Sequence, residues 1–137
     1  MSGFDSAVKR FADKALGRVR KTRSGFAETL FQAVVDGTPI NTGRLRANWQ
    51  AASGSAPQGE TGLRGEDAVT REIASAASSL GDRDGEILLV NNLPYARAVE
   101  YGAGTPTGWT APAGMVRGAL AEAPALLGQA AGKVKSS

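Results

Sequence analysis

The sequence predicts an α+β domain with a long N-terminal helix, a small antiparallel sheet, helices packed on one face of that sheet, and a C-terminal helix. Three observations predict it. Phe4, Val8, Phe11, Ala15, Val19, Phe26, Leu30 and Val34 recur at steps of three, four or seven, which stacks side chains on one helical face. Arg44 to Ala51 alternates polar and apolar residues, and Ile87 to Val90 is a short apolar run behind a turn. Val116, Leu120, Ala123, Leu127 and Ala130 restore the helical period near the end of the chain.

The first helix can be capped by Ser2 or Asp5 and is stopped by Asp36-Gly37-Thr38-Pro39, where a permissive glycine precedes a proline that cannot continue a helix. Ser24-Gly25 is a possible break within it. After the turn, the alternation predicts a strand over Arg44 to Ala52 with Leu45, Ala47, Trp49 and Ala51 facing the core and Trp49 as its anchor. Ala52 to Gly65 has almost no large apolar residue with which to offset its ordering entropy, so a mobile loop is expected over residues 52–66. Val69, Ile73, Ala76 and Leu80 then mark a helix ended by Gly81.

Asp82-Arg83-Asp84-Gly85 reads as a turn into a buried strand, Glu86 to Asn91, with Leu88 as a core anchor. Its acidic residues lack the glycine and distal glutamate of an EF-hand loop, so no metal is expected there. Pro94 can open a short helix from Leu93 to Tyr101 with Tyr95 and Val99 on its buried face. Residues 102–111 form a second flexible stretch containing Trp109, which suits either core capping or a subunit contact. The last helix starts at Thr110 or Pro112 with Val116 as its anchor. A kink or restart is expected near Ala123, because Pro124 cannot donate a helical hydrogen bond, and the tail 133–137 should fray.

All 137 residues fit one domain of ordinary size, and the core should be thin, since aromatics make up only 6% and much of the apolar content is alanine. The chain has no cysteine and no histidine. That excludes disulfides, thiolate nucleophiles, Ser-His-Asp and Cys-His chemistry and cysteine-bound metals, and no carboxylate, lysine or glycine-loop motif replaces them. Ser6-Ala7-Val8-Lys9 fits the S-x-x-K pattern of penicillin-binding enzymes without either companion motif, as chance would produce. No enzyme activity and no cofactor are therefore expected. Met1 to Arg20 lacks the apolar run of a secretory signal and no stretch is long enough to span a bilayer, which leads us to expect a soluble protein of the cytoplasm in which it is made.

Charge is unevenly shared. Met1 to Gly25 carries seven cations (Lys9, Arg10, Lys14, Arg18, Arg20, Lys21, Arg23) against Asp5 and Asp13, whereas the rest carries nine cations against eleven anions. Arg10, Lys14 and Lys21 fall opposite the apolar stripe, and with Arg18 they form a basic face. It is either a solvated surface or a contact for an acidic partner or for DNA phosphates.

Three blocks, Thr38-Pro39-Ile40-Asn41-Thr42-Gly43-Arg44-Leu45-Arg46-Ala47-Asn48-Trp49, Asn91-Asn92-Leu93-Pro94-Tyr95-Ala96-Arg97-Ala98-Val99-Glu100-Tyr101-Gly102 and Ala111-Pro112-Ala113-Gly114-Met115-Val116-Arg117, together resemble the tail-completion, or minor tail, family of long-tailed lambdoid-type bacteriophages. The resemblance implies a virion protein that joins the neck to the tail as a ring of identical subunits, hexameric or dodecameric. Its neighbours would be connector and tail-tube proteins, with non-specific contact to packaged DNA possible, and it would reside in the host cytoplasm until assembly. A ring needs two different complementary surfaces per subunit. Candidates are Arg44, Arg46 and Arg97, which can pair with carboxylates such as Glu100, together with Tyr101 and Trp109. Tyr95 and Tyr101 equally suit the core. The sequence departs from the family pattern in the insertion Ala103 to Thr110.

Overall fold

The computed structural model describes residues 3–40, 42–82, 85–102 and 114–135. Seven elements follow in order: α1 (Gly3–Asp36), α2 (Arg44–Ala47), β1 (Trp49–Ser53), α3 (Glu66–Asp82), β2 (Ile87–Asn91), α4 (Ala96–Tyr101) and α5 (Met115–Lys135). The α+β architecture has the predicted long first helix, two-stranded antiparallel sheet and C-terminal helix.

Helix α1 is unbroken through Ser24-Gly25 and, at 1.5 Å per residue, about 51 Å long. Its second half meets the rest of the domain. The Ser24 hydroxyl donates to the Ala77 carbonyl of α3 (2.8 Å), and the Arg23 guanidinium to the Gly85 carbonyl (2.9 Å). Helix α5 runs antiparallel to α1: its start lies beside Gly37, Ala130 abuts Gly25, and Val134 shares a groove with Lys21. Val34 and Val35 of α1 enter the core with Leu45, Trp49, Val69, Ile73, Leu93, Val99, Met115 and Ala119.

The expected strand from Arg44 is half helix. Gly43 takes a left-handed φ of 84° and opens the single turn α2, and the Asn48 side chain closes it by donating to the Arg44 carbonyl (2.9 Å). Leu45, Ala47, Trp49 and Ala51 are all buried, as the alternation required. Period alone misled there because Leu45 and Trp49 are four apart, and one helical turn buries that pair as well as a strand does. The sheet pairs β1 with β2 from Trp49↔Asn91 to Ser53↔Ile87. Strand β2 is half-buried throughout, so Leu88 is not the core anchor expected of a buried strand. Its neighbours Ile87 and Leu89 pack on the core instead, because the two faces of a strand alternate.

Helix α3 buries Val69, Ile73, Ala76 and Leu80 as predicted. Helix α4 starts at Ala96, with Pro94 and Tyr95 in the preceding turn. Val99 is fully buried, and Tyr95 is half-buried against the core. Helix α5 corrects two expectations. Of the kink or restart expected at Pro124, the restart is absent, since the helix continues through the proline, which lies on the exposed side where water can serve the carbonyl its ring leaves unbonded. Its buried face is Met115, Ala119 and Ala130, while Val116 is 37% exposed and Leu120 53%, so Val116 is not a core anchor. The small Ala130 faces inward where α5 lies close to Gly25 of α1, and Leu126 and Val134 line the groove beside it.

Lys133, Val134 and Lys135 remain helical where fraying was expected. Ser2, Asn41, the Arg83-Asp84 turn, residues 103–113 with Trp109 and the expected α5 start at Thr110 or Pro112, and Ser136-Ser137 lie outside the described residues.

Candidate assembly surfaces

The three sequence blocks converge. From the first, Arg46 spans the turn after α1: Nε donates to the Thr38 carbonyl (2.7 Å), Nη2 to the Asp36 carbonyl (2.9 Å) and Nη1 to Glu66 at 2.8 Å. The buried Thr38 hydroxyl donates to the Val34 carbonyl (2.8 Å) and accepts the Trp49 indole N–H (2.8 Å), so the aromatic anchor finds a polar partner inside the core. From the second block, the Asn91 amide donates to the Leu45 carbonyl (2.9 Å).

Glu100 ties the second block to the third. It is buried at the start of α5, where its carboxylate accepts the N–H groups of Val116 (2.7 Å) and Arg117 (3.1 Å) and the Arg117 Nε–H (2.9 Å). Those backbone donors would otherwise be orphans of the first helical turn. Burial pushes the Glu100 carboxyl pKa up, but the N–H groups of Val116 and Arg117, the Arg117 guanidinium and the Met115 N–H outweigh it and hold the pKa below its ordinary value. Gly114 has φ +80°, and a Cβ there would overlap Glu100 Oε2, so the glycine in Ala-Gly-Met is a requirement of this node.

A cleft of about 330 Å³ opens where the blocks meet, lined by Trp49, Asn91, Arg97, Tyr101, Met115 and Val116 among others. At its mouth Tyr101 is 60% exposed, with the Arg117 guanidinium 4.5 Å and the Arg97 guanidinium 5.8 Å from its ring centre.

The interface candidates thus divide. Arg46 and Glu100 bond within the subunit, and Glu100 pairs with Arg117 in place of Arg44, Arg46 or Arg97. Arg44 pairs with Glu60. Arg97 and Tyr101 remain exposed on one edge of the cleft.

Within the loop expected over residues 52–66, residues 57–64 bond to the domain. Thr61 N–H donates to the Asn48 side-chain oxygen (2.7 Å), its hydroxyl to the Ala47 carbonyl (2.9 Å), and the Asn92 amide to the Pro57 and Gly59 carbonyls. Arg64 reaches the Ala47 and Trp49 carbonyls (2.8 and 2.7 Å) and Glu72 (2.6 Å), and Glu72 in turn accepts the Ala51 N–H (2.6 Å). The pair therefore occupies the edge of β1 that β2 leaves open, a common way of closing a sheet edge. Neither Arg64 nor Glu72 stood out in the sequence, since the signal is a tertiary one. Arg117 could have been found as the cation three residues after Gly114, which precedes α5.

Among the described residues, apolar side chains are exposed along two helix faces. Every residue from Ala7 to Leu16 is exposed, Phe11 at 76%, so this segment of α1 projects from the domain with Val8 and Phe11 bare and Arg10, Lys14, Arg18 and Lys21 exposed on the same helix. The second is the outer face of α5, with Val116, Leu120 and Leu127. Among the described residues no group of three His, Cys, Asp or Glu side chains could hold a metal, and no helix is long and apolar enough to cross a membrane.

The chain matches no family model, no curated protein and no solved structure in the comparisons made.

Proposed function

We propose that this protein is a structural component of a tailed-bacteriophage virion, part of the neck or the head-proximal end of the tail. In this reading it acts by assembly, as a homo-oligomeric ring contacting neck or connector and tail-tube proteins, and not as an enzyme. The observation that carries the reading is the pair of bare apolar helix faces on a domain whose own core is thin and rich in alanine. Monomeric proteins rarely leave such contiguous surface in water. The resemblance of the three blocks to the tail-completion family supplies the identity of the assembly.

The test is the finished particle. Deleting the gene should leave heads and tails unjoined or tails incomplete, and imaging of complete phage should place the chain in a closed layer at the neck. Infectious particles forming without it would overturn the reading.

A second reading, a module that grips nucleic acid through the basic face of α1, is favoured by the exposure of Arg10, Lys14, Arg18 and Lys21. It predicts binding to unrelated duplex DNA that weakens steeply with salt and is reduced by Lys14→Glu or Lys21→Glu. Binding insensitive to both would remove it.

A further inference from the structure

We propose that the outer edge of β2 pairs with the same edge of a second copy of this chain, antiparallel and two-fold about Leu89, so that two subunits share one continuous sheet. The proposal does not depend on the virion reading above.

The strand register fixes which backbone groups face outward. The Ala51 N–H donates to Glu72 and the Trp49 carbonyl accepts from Arg64, so both residues turn their backbone groups away from β2. Hydrogen-bonded and non-hydrogen-bonded pairs alternate along an antiparallel ladder, and the two members of a pair behave alike. Leu89 opposite Ala51, Asn91 opposite Trp49 and Ile87 opposite Ser53 therefore point their N–H and C=O groups away from β1. The Gly54 N–H bond to the Glu86 carbonyl continues that alternation one step further. Among the described residues, nothing in the subunit hydrogen-bonds to the outward backbone groups of Ile87, Leu89 or Asn91.

The two edges of the sheet are treated differently. On β1, Arg64 donates to a carbonyl and Glu72 accepts an N–H, the two contacts a third strand would make. On β2, Ile87-Leu88-Leu89-Val90-Asn91 contains neither a charge nor a proline, the residues that keep an edge from pairing. All five are half-buried, and α3 packs mainly under β1.

A row of alternating donors and acceptors on an apolar strand is matched by another strand. Among the described residues, the unplugged strand edge in a second copy is again that of β2. Its sequence suits itself. Antiparallel pairing about Leu89 sets Leu89 against the partner's Leu89, Ile87 against the partner's Asn91 and Leu88 against the partner's Val90. The outward-facing residues then fall in hydrogen-bonded pairs, and just past the strand Glu86 meets the partner's Asn92, so no like charges oppose each other. The contact is isologous and closes at two copies. At about 3.4 Å per residue the paired stretch is only about 17 Å long, which makes the dimer weak and dependent on concentration.

The experiment uses the full chain. In sedimentation velocity, wild type should pass from monomer toward dimer as concentration rises into the millimolar range. Amide exchange followed by NMR over the same range should slow about tenfold at Ile87, Leu89 and Asn91 and change little at Leu88 and Val90, whose N–H groups already bond to β1. Leu88→Lys and Val90→Glu alter the half-buried side chains on the face away from the core, with circular dichroism to check folding. Each alone should associate about tenfold more weakly, because it sets an unpaired charge against an apolar side chain. An equimolar mixture should regain association, because the register brings the introduced cation opposite the introduced carboxylate. A wild type that stays monomeric, a dimer whose Leu89 amide exchanges as fast as in the monomer, or a mixture of folded variants no stronger than either alone would each overturn the pairing. Should either variant fail to fold, the alternating exchange pattern of wild type decides.

Discussion

Replacing Glu100 by glutamine should cost about 1–3 kcal/mol at neutral pH, and that cost should shrink in acid. Glutamine fills nearly the same volume. However, its single carbonyl oxygen is neutral and cannot serve the Val116 N–H, the Arg117 N–H and the Arg117 guanidinium together, as the two carboxylate oxygens do. Losing one hydrogen bond to a charged group costs about 1.5–3 kcal/mol, and losing a helix cap about 1 kcal/mol. The Arg117 side chain is half exposed, so solvent screening keeps the ion pair itself a minor part of the sum.

The sign of the pH dependence follows from the lowered pKa. A carboxyl whose folded pKa lies below its unfolded value adds stability that is fully present above the unfolded value, about 4.3, and disappears as pH falls through the folded one. Urea unfolding of wild type and Glu100→Gln at pH 7 and again near pH 2.5 reads this directly. The difference should be large at pH 7 and shrink as the pH falls and the wild-type carboxyl takes up its proton, which leaves a neutral group of much the same shape. A difference below about 0.3 kcal/mol at pH 7, or one that persists unchanged in acid, would refute the account of Glu100 as the anion that starts α5.

Gly114→Ala should destabilise by about 2 kcal/mol or more, since φ +80° is unfavourable for alanine and the added methyl displaces the Glu100 carboxylate. Chemical denaturation checks it, and in the Glu100→Gln background the combined cost should be less than additive. Arg64→Met should lower stability by about 1.5–3 kcal/mol and speed hydrogen exchange at the Ala51 amide, because Glu72 loses its partner and the Trp49 carbonyl its donor. Trp49→Phe should cost about 1–2 kcal/mol, from the lost indole donor to Thr38 and the smaller ring, read as a lower unfolding midpoint with native circular dichroism retained. Amides of residues 7–16 should exchange fast in dilute protein and become protected on assembly, since an isolated helix of that length is marginal in water.

The repeating patterns carried much of this fold. The steps of three and four along α1 and α3 and the Gly37-Thr38-Pro39 stop were legible, because period and backbone chemistry are local properties. So was the burial of Leu45, Trp49 and Ala51, since hydrophobic identity is independent of the backbone path that buries it. Tertiary structure decided what depended on a distant partner. Which face of α5 turned inward was set by how closely the helix lies against Gly25 of α1, so Met115 and Ala119 are buried where the period had pointed to Val116 and Leu120. Whether the residues after Gly43 coiled or extended was set by a turn held from Asp36, Thr38 and Glu66. The polar bonds that tether residues 57–64 and join Glu100 to α5 link positions far apart in the chain. Composition can supply their donors and acceptors, but only the folded path brings them within 3 Å of each other.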